Sequence, residues 1–478
     1  MSSDSDAWTV PDGAQPAPMA PSRRDFLKTG VLTGAAAAAT GWATGCAAPD
    51  RRPGIGAAAP PPADAGPPVD LARVMKQAPF FPEPKGSPEL LRVGVIGCGG
   101  RGTGAAINCV DAAPQVKLVA LADLFPDHLS AARERLLKDR PDFCDLPESR
   151  CFVGFDAYQR VCEMPEVNLV ILAAPPHFRP PHLEAAISAG KHVFMEKPVA
   201  VDPAGARRVI AAAAAARNQR LGIVAGTQRR HDPVYVETLR RIRDGAIGAI
   251  VAAQCYWNQG ALWVKERQPE WSDMEWQCRN WLYFTWLSGD HIVEQHVHNL
   301  DVVNWAMGGP PLKCVGMGGR QARVEPQYGN IYDHFAVEYE YASGARVLSM
   351  CRQTAGASDR VSERLVGTKG AANPNGLIEG PKPFRFRYPQ DHPGVNPYVQ
   401  EHTDLIRSIR HGTPLNEGAR IAESTLTAIM GRMSAYTGRE MKYEWALNAS
   451  ELDLTPPAYA FGPLSIEPVA TPGQTKLV

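Results

Sequence analysis

The feature that most constrains this chain is a β-branched run that leads directly into a glycine-rich turn. Leu91–Ile96 has the composition of a buried strand, residues 97–102 (GCGGRG) form the turn, and residues 103–110 have helical spacing. Strand, G-x-G-x-x-G turn and helix in this order are typical of a dinucleotide-binding unit. Gly97 permits the tight turn, Gly99 lets the backbone approach a pyrophosphate, and Gly102 allows close packing of helix on strand.

A carboxylate follows the second strand of this unit. The apolar run 116–122 ends in Asp123, which is placed to accept hydrogen bonds from an adenosine ribose. The same carboxylate would repel a 2′-phosphate, and Leu124-Phe125 supply no arginine to bind one. NAD is therefore favoured over NADP. The alternative interpretation is that Asp123 caps the helix that begins near Pro126.

Strands and helices continue to alternate after this carboxylate. The predicted strands are 168–174, 192–195 and 222–225, and the predicted helices are 127–139, 181–189 and 203–217. This alternation predicts an α/β fold, with an N-terminal Rossmann domain built on a doubly wound parallel sheet. Ligands bind such sheets at the carboxyl ends of the strands. The predicted cofactor contacts at those ends are Gly97, Cys98, Gly99, Gly100, Arg101, Gly102, Asp123, Ala174, Pro175, His177, Glu196 and Lys197.

Two segments carry candidate acid–base residues. Lys197 follows a strand in Glu196-Lys197-Pro198, where it would lie near a bound nicotinamide and could act as a general acid or base. If residues 289–301 form one helix, Glu294 lies one turn from His298 and shares a face with Asp301. A carboxylate that orients an imidazole is a common acid–base device. His296 and His298 have no third ligand at suitable spacing, so no metal is expected.

These motifs, in this order, resemble the Gfo/Idh/MocA (glucose–fructose oxidoreductase/inositol dehydrogenase) family over roughly residues 90–445. The resemblance rests on five motifs in order: the glycine-rich turn, Pro-x-x-x-x-x-His182, Gly190-Lys191-His192-Val193, Glu196-Lys197-Pro198, and Glu294-x-x-x-His298-x-x-Asp301. It implies a C-terminal α/β domain with a large open, mostly antiparallel sheet, and a homo-oligomer formed through that sheet. It also implies that Lys197 and His298 form the catalytic pair. The family has Asp where this chain has Glu294, whose longer side chain moves the carboxylate by about one methylene group.

The second half of the chain fits this expectation. Residues 336–341 alternate and residues 346–353 return, which predicts a hairpin. Seven of the ten tryptophans lie between Trp257 and Trp305, and part of this aromatic stretch is interpreted as a wall for a sugar-like substrate, the rest as core or oligomer contacts. The predicted substrate contacts are Arg229, His231, Tyr283, Trp286 and Asp301.

Composition limits the partners. The formal net charge is zero, so no nucleic-acid partner is expected and a small molecule is favoured. The ten cysteines form no CxxC pair and no zinc spacing, so most are interpreted as small buried side chains, with a disulfide left open.

The N-terminal segment predicts export. Residues 22–28 (SRRDFLK) form a twin-arginine pattern before the mild apolar run 31–45, which is too short and too weakly apolar for a transmembrane span. This pattern predicts a periplasmic protein, and the alternative is a chance arginine pair before an alanine-rich helix. Cys46 is a candidate lipid anchor, although the residues before it match a lipoprotein box only loosely.

Five segments are thus predicted: an export signal (1–46), a Pro/Ala/Gly-rich linker (47–90), the Rossmann domain (91–228), a substrate and oligomerisation domain (229–445) and a Pro-rich C-terminal arm (446–478). The predicted activity is NAD(P)-dependent oxidation of a secondary hydroxyl of a sugar, polyol or glycoside. Outside the cytoplasm no pool of free NAD is expected, so a tightly bound cofactor follows. The alternatives are a sugar–sugar oxidoreductase, a redox-neutral NAD-dependent glycoside hydrolase and a non-catalytic dinucleotide-binding protein.

Overall fold

The structure, a computed structural model, describes residues 67–84, 86 and 88–478. The predicted export signal, Cys46 and most of the predicted linker lie outside these residues.

The first sheet is parallel and has the strand order β3-β2-β1-β4-β5-β6. Its strands are β1 (Leu91–Ile96), β2 (Val116–Asp123), β3 (Cys151–Val153), β4 (Leu169–Leu172), β5 (His192–Met195) and β6 (Ile223–Ala225). This order reverses direction between β1 and β4, as in doubly wound dinucleotide-binding domains. The predicted fold class is therefore confirmed. Strand β3 was not predicted, because three residues with one fully buried side chain leave no readable pattern.

Helices cover both faces of the first sheet. After the short α1 (Leu71–Val74), they are α2 (Gly100–Ala112), α3 (Pro126–Asp139), α4 (Ala157–Glu163), α5 (Arg179–Ser188) and α6 (Pro203–Asn218). The alanine-rich α6 begins at the predicted residue, where Asp202 caps it by accepting a hydrogen bond from the Gly205 N–H.

The second sheet has nine strands in the order β14-β13-β12-β11-β7-β10-β9-β8-β15. Only the pair β7 and β10 is parallel. The strands are β7 (Ile250–Gln259), β8 (Lys313–Gly319), β9 (His334–Glu340), β10 (Arg346–Gln353), β11 (Arg360–Gly367), β12 (Gly370–Asn373), β13 (Leu377–Glu379), β14 (Phe384–Arg385) and β15 (Met441–Lys442). The predicted hairpin is present as the antiparallel pair of β9 and β10.

One face of this sheet is covered and the other is open. The remaining helices are α7 (Pro233–Arg243), α8 (Asp273–Arg279), α9 (Thr285–Ser288), α10 (His291–Glu294), α11 (Val297–Met307), α12 (Pro397–Arg410), α13 (Gly418–Thr437) and α14 (Tyr443–Asn448). Helices α10, α11 and α13 contact the covered face, where Val337, Tyr339, Val347 and Cys351 are buried. Strand alternation sends the intervening side chains to the open face.

Helices α12 and α13 connect the two sheets. Helix α12 packs on α2 of the first half, and α13 contacts both α6 and the second-sheet strand β8. The residues between them extend the edge of the first sheet, because the Ile223 N–H donates to the Leu415 carbonyl and the Glu417 N–H to the Ile223 carbonyl. A segment assigned from sequence to the second domain thus supports both halves.

The C-terminal arm packs on its own chain. Within residues 451–478 the structure has no helix or strand, yet the Leu454 N–H donates to Asp202 and the Tyr332 hydroxyl to the Ala470 carbonyl. No described helix is both long and apolar enough to cross a membrane.

Candidate functional site

The glycine-rich turn has the geometry that a pyrophosphate requires. Gly97 has φ of +97°, and a Cβ there would lie 2.3 Å from the Ala174 nitrogen. A Cβ at Gly102 would lie 1.8 Å from the Gly97 carbonyl oxygen, whereas a Cβ at Gly99 would meet no atom within 4 Å. Gly99 caps the N-terminus of α2, so the open space lies where unpaired N–H groups and the positive helix end are available to an anion.

Asp123 is fixed beside this turn. Its Oδ2 accepts the Cys98 N–H at 2.6 Å, and its Oδ1 accepts the Phe125 N–H at 2.8 Å. The carboxylate therefore lies at the end of β2 against the turn, where the ribose of a dinucleotide lies in this fold. The residues around the turn fit NAD, because Gly102 keeps the helix close, Gly99 leaves room and Asp123 holds acceptor oxygens at the strand end.

Arg101 does not extend toward the open side of the turn. Its Nε lies 2.5 Å from Glu196 Oε1, its guanidinium lies 3.6 Å from buried Glu401, and it lies over the Tyr398 ring. Arg101 and Glu196, both predicted cofactor contacts, thus bind each other through their side chains. Only the backbone of Arg101, as part of the glycine-rich turn, therefore remains available to contact a dinucleotide.

The end of β4 is held by an arginine that was not predicted. Buried Arg179 donates to the Ala174 carbonyl and, at 2.7 Å, to the Glu196 carbonyl, so it joins the segments after β4 and β5. His177, in the same segment, lies 2.8 Å from the Tyr459 hydroxyl. Burial lowers the pKa of His177 to about 4, so its ring is neutral at physiological pH. No sequence signal identified Arg179, since an arginine at a helix start is usually exposed.

Lys197 and Glu294 meet between the two halves. Lys197 Nζ lies 2.5 Å from the Glu294 carbonyl oxygen and 3.1 Å from Glu294 Oε1, and both side chains are largely buried. The ammonium is therefore held by one residue through two oxygens. A charged group held in this way keeps a fixed position at the end of β5.

The expected single helix around His298 is interrupted, which corrects the prediction for Glu294. Helix α10 ends at Glu294 and α11 begins at Val297. The Gln295 side chain bonds to Gln353, and His296 Nε2 lies 2.7 Å from the Ser349 hydroxyl, so contacts with β10 hold the intervening turn. Glu294 consequently contacts Lys197 rather than His298.

His298 is a buried, neutral imidazole. Its ring stacks on Trp257 at 5.6 Å between centroids and 19° between planes, and it forms no hydrogen bond to another described side chain. Burial, and then the nearby positive charges of Lys197 and Arg229, hold the pKa of His298 well below its ordinary value. An uncharged imidazole without a protein partner can accept a proton from a substrate hydroxyl.

Arg229 lies beside this histidine. Its guanidinium forms an ion pair with buried Glu363 and lies within 5.8 Å of the centroids of Tyr235 and Trp257. Of the predicted substrate contacts, Arg229 shares the Trp257 ring with His298. In the sequence, nothing distinguishes Trp257 from the other members of the tryptophan-rich stretch.

Three other predicted substrate contacts have their polar atoms in structural bonds, which corrects those predictions. Asp301 accepts from Arg230, Arg420 and Ser424. His231 is fully buried, between Asp404 at 2.8 Å and Glu417 at 3.5 Å. Tyr283 is fully buried, and its hydroxyl donates to the carbonyls of Leu262 and Trp263.

Trp286 and the neighbouring tryptophans pack against the first half of the chain and not around His298. The Trp286 indole N–H donates to Gln277 at 2.8 Å, and its ring meets His177 edge-on at 5.1 Å. The tryptophans at 271, 276, 281 and 286 pack in one apolar cluster with Phe125 and Phe178. Most of the tryptophan-rich stretch thus lies at the strand ends of the first sheet. Among the described residues, no group of three His, Cys, Asp or Glu side chains could hold a metal ion.

Two family models match the two halves of the chain. Residues 91–223 match the family model described as "Oxidoreductase family, NAD-binding Rossmann fold", and residues 235–373 match that of the GFO/IDH/MocA C-terminal domain. Inositol 2-dehydrogenase of Acidothermus cellulolyticus is 25% identical over 281 residues, which are 59% of this chain and 71% of that protein.

Two further similarities cover different parts of the chain. Glycosyl hydrolase family 109 protein 1 of Bacteroides fragilis is 34% identical over 114 residues, which are 24% of this chain and 23% of that protein. The crystal structure of aldose-aldose oxidoreductase from Caulobacter crescentus, complexed with glycerol, superposes with a TM-score of 0.57 at 20% identity, covering 74% of this chain and 99% of that one. At that identity the superposition shows a shared fold.

Proposed function

The chain belongs to the Gfo/Idh/MocA oxidoreductase family, and from this premise we propose that it oxidises a secondary hydroxyl of a sugar, polyol or glycoside with bound NAD. The observation that carries the proposal is the placement of a fixed Lys197 and a neutral His298 between the NAD-binding half and the second sheet, with no hydrogen bond from the His298 ring to any described side chain. The inositol 2-dehydrogenase relative supports a polyol-like substrate.

The two residues have different roles in this proposal. Bound NAD supplies a hydride acceptor. His298 accepts the hydroxyl proton as the substrate is oxidised, since its ring is neutral and no side chain in the described part of the chain competes for a hydrogen bond with it. Lys197, held by Glu294, donates a hydrogen bond to the same substrate oxygen and fixes its position. Glu294 is a positioning residue, because it acts through the lysine.

The surroundings of His298 support a hydroxyl-rich substrate. Trp257 offers an aromatic face, and Arg229 offers N–H donors beside it. Sugars and cyclic polyols present apolar C–H faces and several hydroxyls, which suits a site that combines an aromatic ring with a few fixed polar groups.

NAD is proposed over NADP. Asp123 presents a carboxylate where a 2′-phosphate would lie. Arg279 does lie over the Phe125 ring, at 3.9 Å, but it forms ion pairs with Asp127 and Glu275. An arginine already bound to two carboxylates is a poor partner for an additional phosphate.

We also propose that the protein is exported through the twin-arginine route to the periplasm, on the strength of residues 22–45. A twin-lysine variant (R23K/R24K) should then remain in the cytoplasm, as fractionation would show. An exported enzyme must regenerate its cofactor within the site, so a closed redox cycle is favoured. The family 109 relative leaves a redox-neutral glycoside cleavage as the alternative, but its similarity is confined to about a quarter of the chain.

The first test is to denature the purified mature protein and identify any released nucleotide by chromatography. Near-stoichiometric NAD(H) would support a retained cofactor and lead to assays with paired sugars and with glycosides. A protein that is empty, but binds added NAD, would indicate an ordinary dissociable dehydrogenase.

The second test separates catalysis from binding. Lys197→Met and His298→Ala should each lower kcat by about 10²–10⁴-fold while NADH binding is retained. Lys265→Met, at an exposed lysine, is the matched control and should leave kcat unchanged. Full activity in both site variants would contradict the assigned roles.

A further inference from the structure

Residues 458–464 of the C-terminal arm, here called the C-terminal strap, cross the strand ends of the first sheet. Tyr459 lies on the segment after β4, where its hydroxyl is 2.8 Å from His177 Nε2. Because His177 is neutral, the tyrosine hydroxyl can donate to its ring nitrogen. The Tyr459 ring also lies 6.0 Å from Phe155, after β3, and 5.8 Å from Phe178.

A second aromatic residue of the C-terminal strap reaches the end of β2. Phe461 is parallel to Phe125, with 6.0 Å between centroids and 8° between planes, and it meets Phe155 edge-on at 5.4 Å. Phe125 donates its N–H to Asp123, so this contact lies directly beside the predicted ribose site. Phe461 nevertheless remains 49% exposed, so its ring is not locked into the core.

The other side of the C-terminal strap is attached to helix α8. The Met274 N–H donates to the Gly462 carbonyl at 3.1 Å, and the Leu464 N–H donates to Asp273 Oδ2 at 3.2 Å. Gln277 Nε2 donates to the Leu464 carbonyl at 2.9 Å. The C-terminal strap therefore joins α8 to the ends of β2, β3 and β4.

We propose that the C-terminal strap is part of the dinucleotide site, with Tyr459 and Phe461 as binding residues for its adenosine half. This inference rests on the proposed function. A dinucleotide in this fold lies across the carboxyl ends of the strands, with its adenosine ribose at the end of β2. Beyond that ribose, the exposed ring of Phe461, backed by Phe125, and the half-buried ring of Phe155 offer the flat apolar surfaces that a purine needs.

The consequence concerns the rate of exchange. A nucleotide beneath the C-terminal strap can leave only when the contacts of Tyr459 and Phe461 open, so both entry and release are slowed. Tyr459 and Phe461 therefore affect the rate at which the cofactor is released and not the proton transfer at Lys197 and His298.

The test measures NADH release from the full-length protein. Protein loaded with NADH is mixed with excess NAD⁺, and the loss of bound-NADH fluorescence gives the dissociation rate. Tyr459→Phe removes one hydrogen bond and keeps the ring, so release should accelerate about fivefold. Phe461→Ala should accelerate it about tenfold. Ile466→Ala, at a half-exposed apolar residue further along the same arm, is the control and should match the parent.

The outcomes are distinguishable. Equal release rates in the parent, Tyr459→Phe and Phe461→Ala would overturn the strap proposal and leave the proposed function standing. A parent protein that binds no NADH would overturn both. If Phe461→Ala fails to fold, the release rate of Tyr459→Phe still tests the strap proposal, since this variant differs from the parent by one oxygen atom.

Discussion

Two buried histidines of this protein have pKa values shifted in opposite directions. At His298 burial acts together with neighbouring cations, so the neutral ring is favoured. At His231 burial also disfavours the charge, but the carboxylates of Glu417 and Asp404 outweigh it and raise the pKa to about 10. The same residue type is therefore suited to proton transfer at one position and to a buried ion pair at the other.

The state of His298 predicts a pH profile. A base with a lowered pKa remains deprotonated as the pH falls, so kcat/KM should not decline through protonation of His298 until well below pH 6.5. The measurement is kcat/KM against pH at saturating NAD, with the unfolding temperature followed at each pH as a control. An acid limb near 6.5 would contradict the buried, cation-flanked environment of this ring.

The state of His231 predicts how stability depends on pH. Between pH 6.5, where the unfolded chain releases this proton, and about 10, where the native protein does, the native state holds the extra proton. The free energy of unfolding contributed by His231 is thus complete below pH 6.5 and falls as the pH rises, by up to ~1.4 kcal/mol per pH unit. Denaturant unfolding of the parent and His231→Gln across this range should show a steeper loss of stability with rising pH in the parent. Parallel curves would exclude the ion pair as its source.

At the scale of elements, two glycines of the strand–turn–helix unit have different surroundings. Gly102 is needed for packing, because a Cβ there would overlap the Gly97 carbonyl, whereas Gly99 has free space around it. The fold therefore requires glycine at position 102 but leaves open space at position 99.

This difference predicts opposite outcomes for two alanine substitutions. Gly99→Ala should keep the parent unfolding temperature but weaken NADH binding by about tenfold or more, because the methyl group occupies the space of the pyrophosphate. Gly102→Ala should lower the unfolding temperature by about 5 °C or more, since helix and strand must separate. Thermal unfolding and NADH titration of both variants test the pair. Equal binding by Gly99→Ala and the parent would argue against a pyrophosphate at this turn.

At the scale of the whole molecule, the second sheet leaves an apolar face uncovered. The exposed apolar side chains on this face are Val315, Met317, Leu348 and Met350, which flank Ala336 and Glu338 of the strand between them. A contiguous apolar patch on a sheet face is typical of a protein interface. We propose, as the family resemblance implied, that this face joins two copies of the chain.

The proposal predicts the effect of a charge on that face. Met317 is 73% exposed, so Met317→Arg should leave the monomer folded and shift the protein to monomers in light scattering coupled to size-exclusion chromatography. Val153→Arg, at an exposed position of the first sheet, is the control and should keep the parent mass. A parent that is already monomeric would contradict the proposal.

Local sequence patterns were enough for the Rossmann half. Glycine spacing, apolar runs and the carboxylate after β2 depend on neighbours along the chain, and they placed Gly97, Gly99 and Asp123 as observed. The alternation of the second half likewise predicted its antiparallel hairpin. The short strand β3 was beyond reach because three residues carry no period.

The contacts between distant segments were decided only by the tertiary structure. Glu294 lies one helical turn from His298 in sequence, but bonds from Gln295 and His296 to β10 break the helix and direct Glu294 to Lys197. Likewise, Arg230 and Arg420 belong to other elements and donate hydrogen bonds to Asp301. These bonds occupy the Asp301 carboxylate, which is therefore not available to a substrate. Side-chain periodicity sets which residues share a face, whereas the partner of a buried charge is set by which elements pack together. For this reason the sequence sufficed for the fold class and the glycine-rich turn, and the arrangement around His298 required the folded chain.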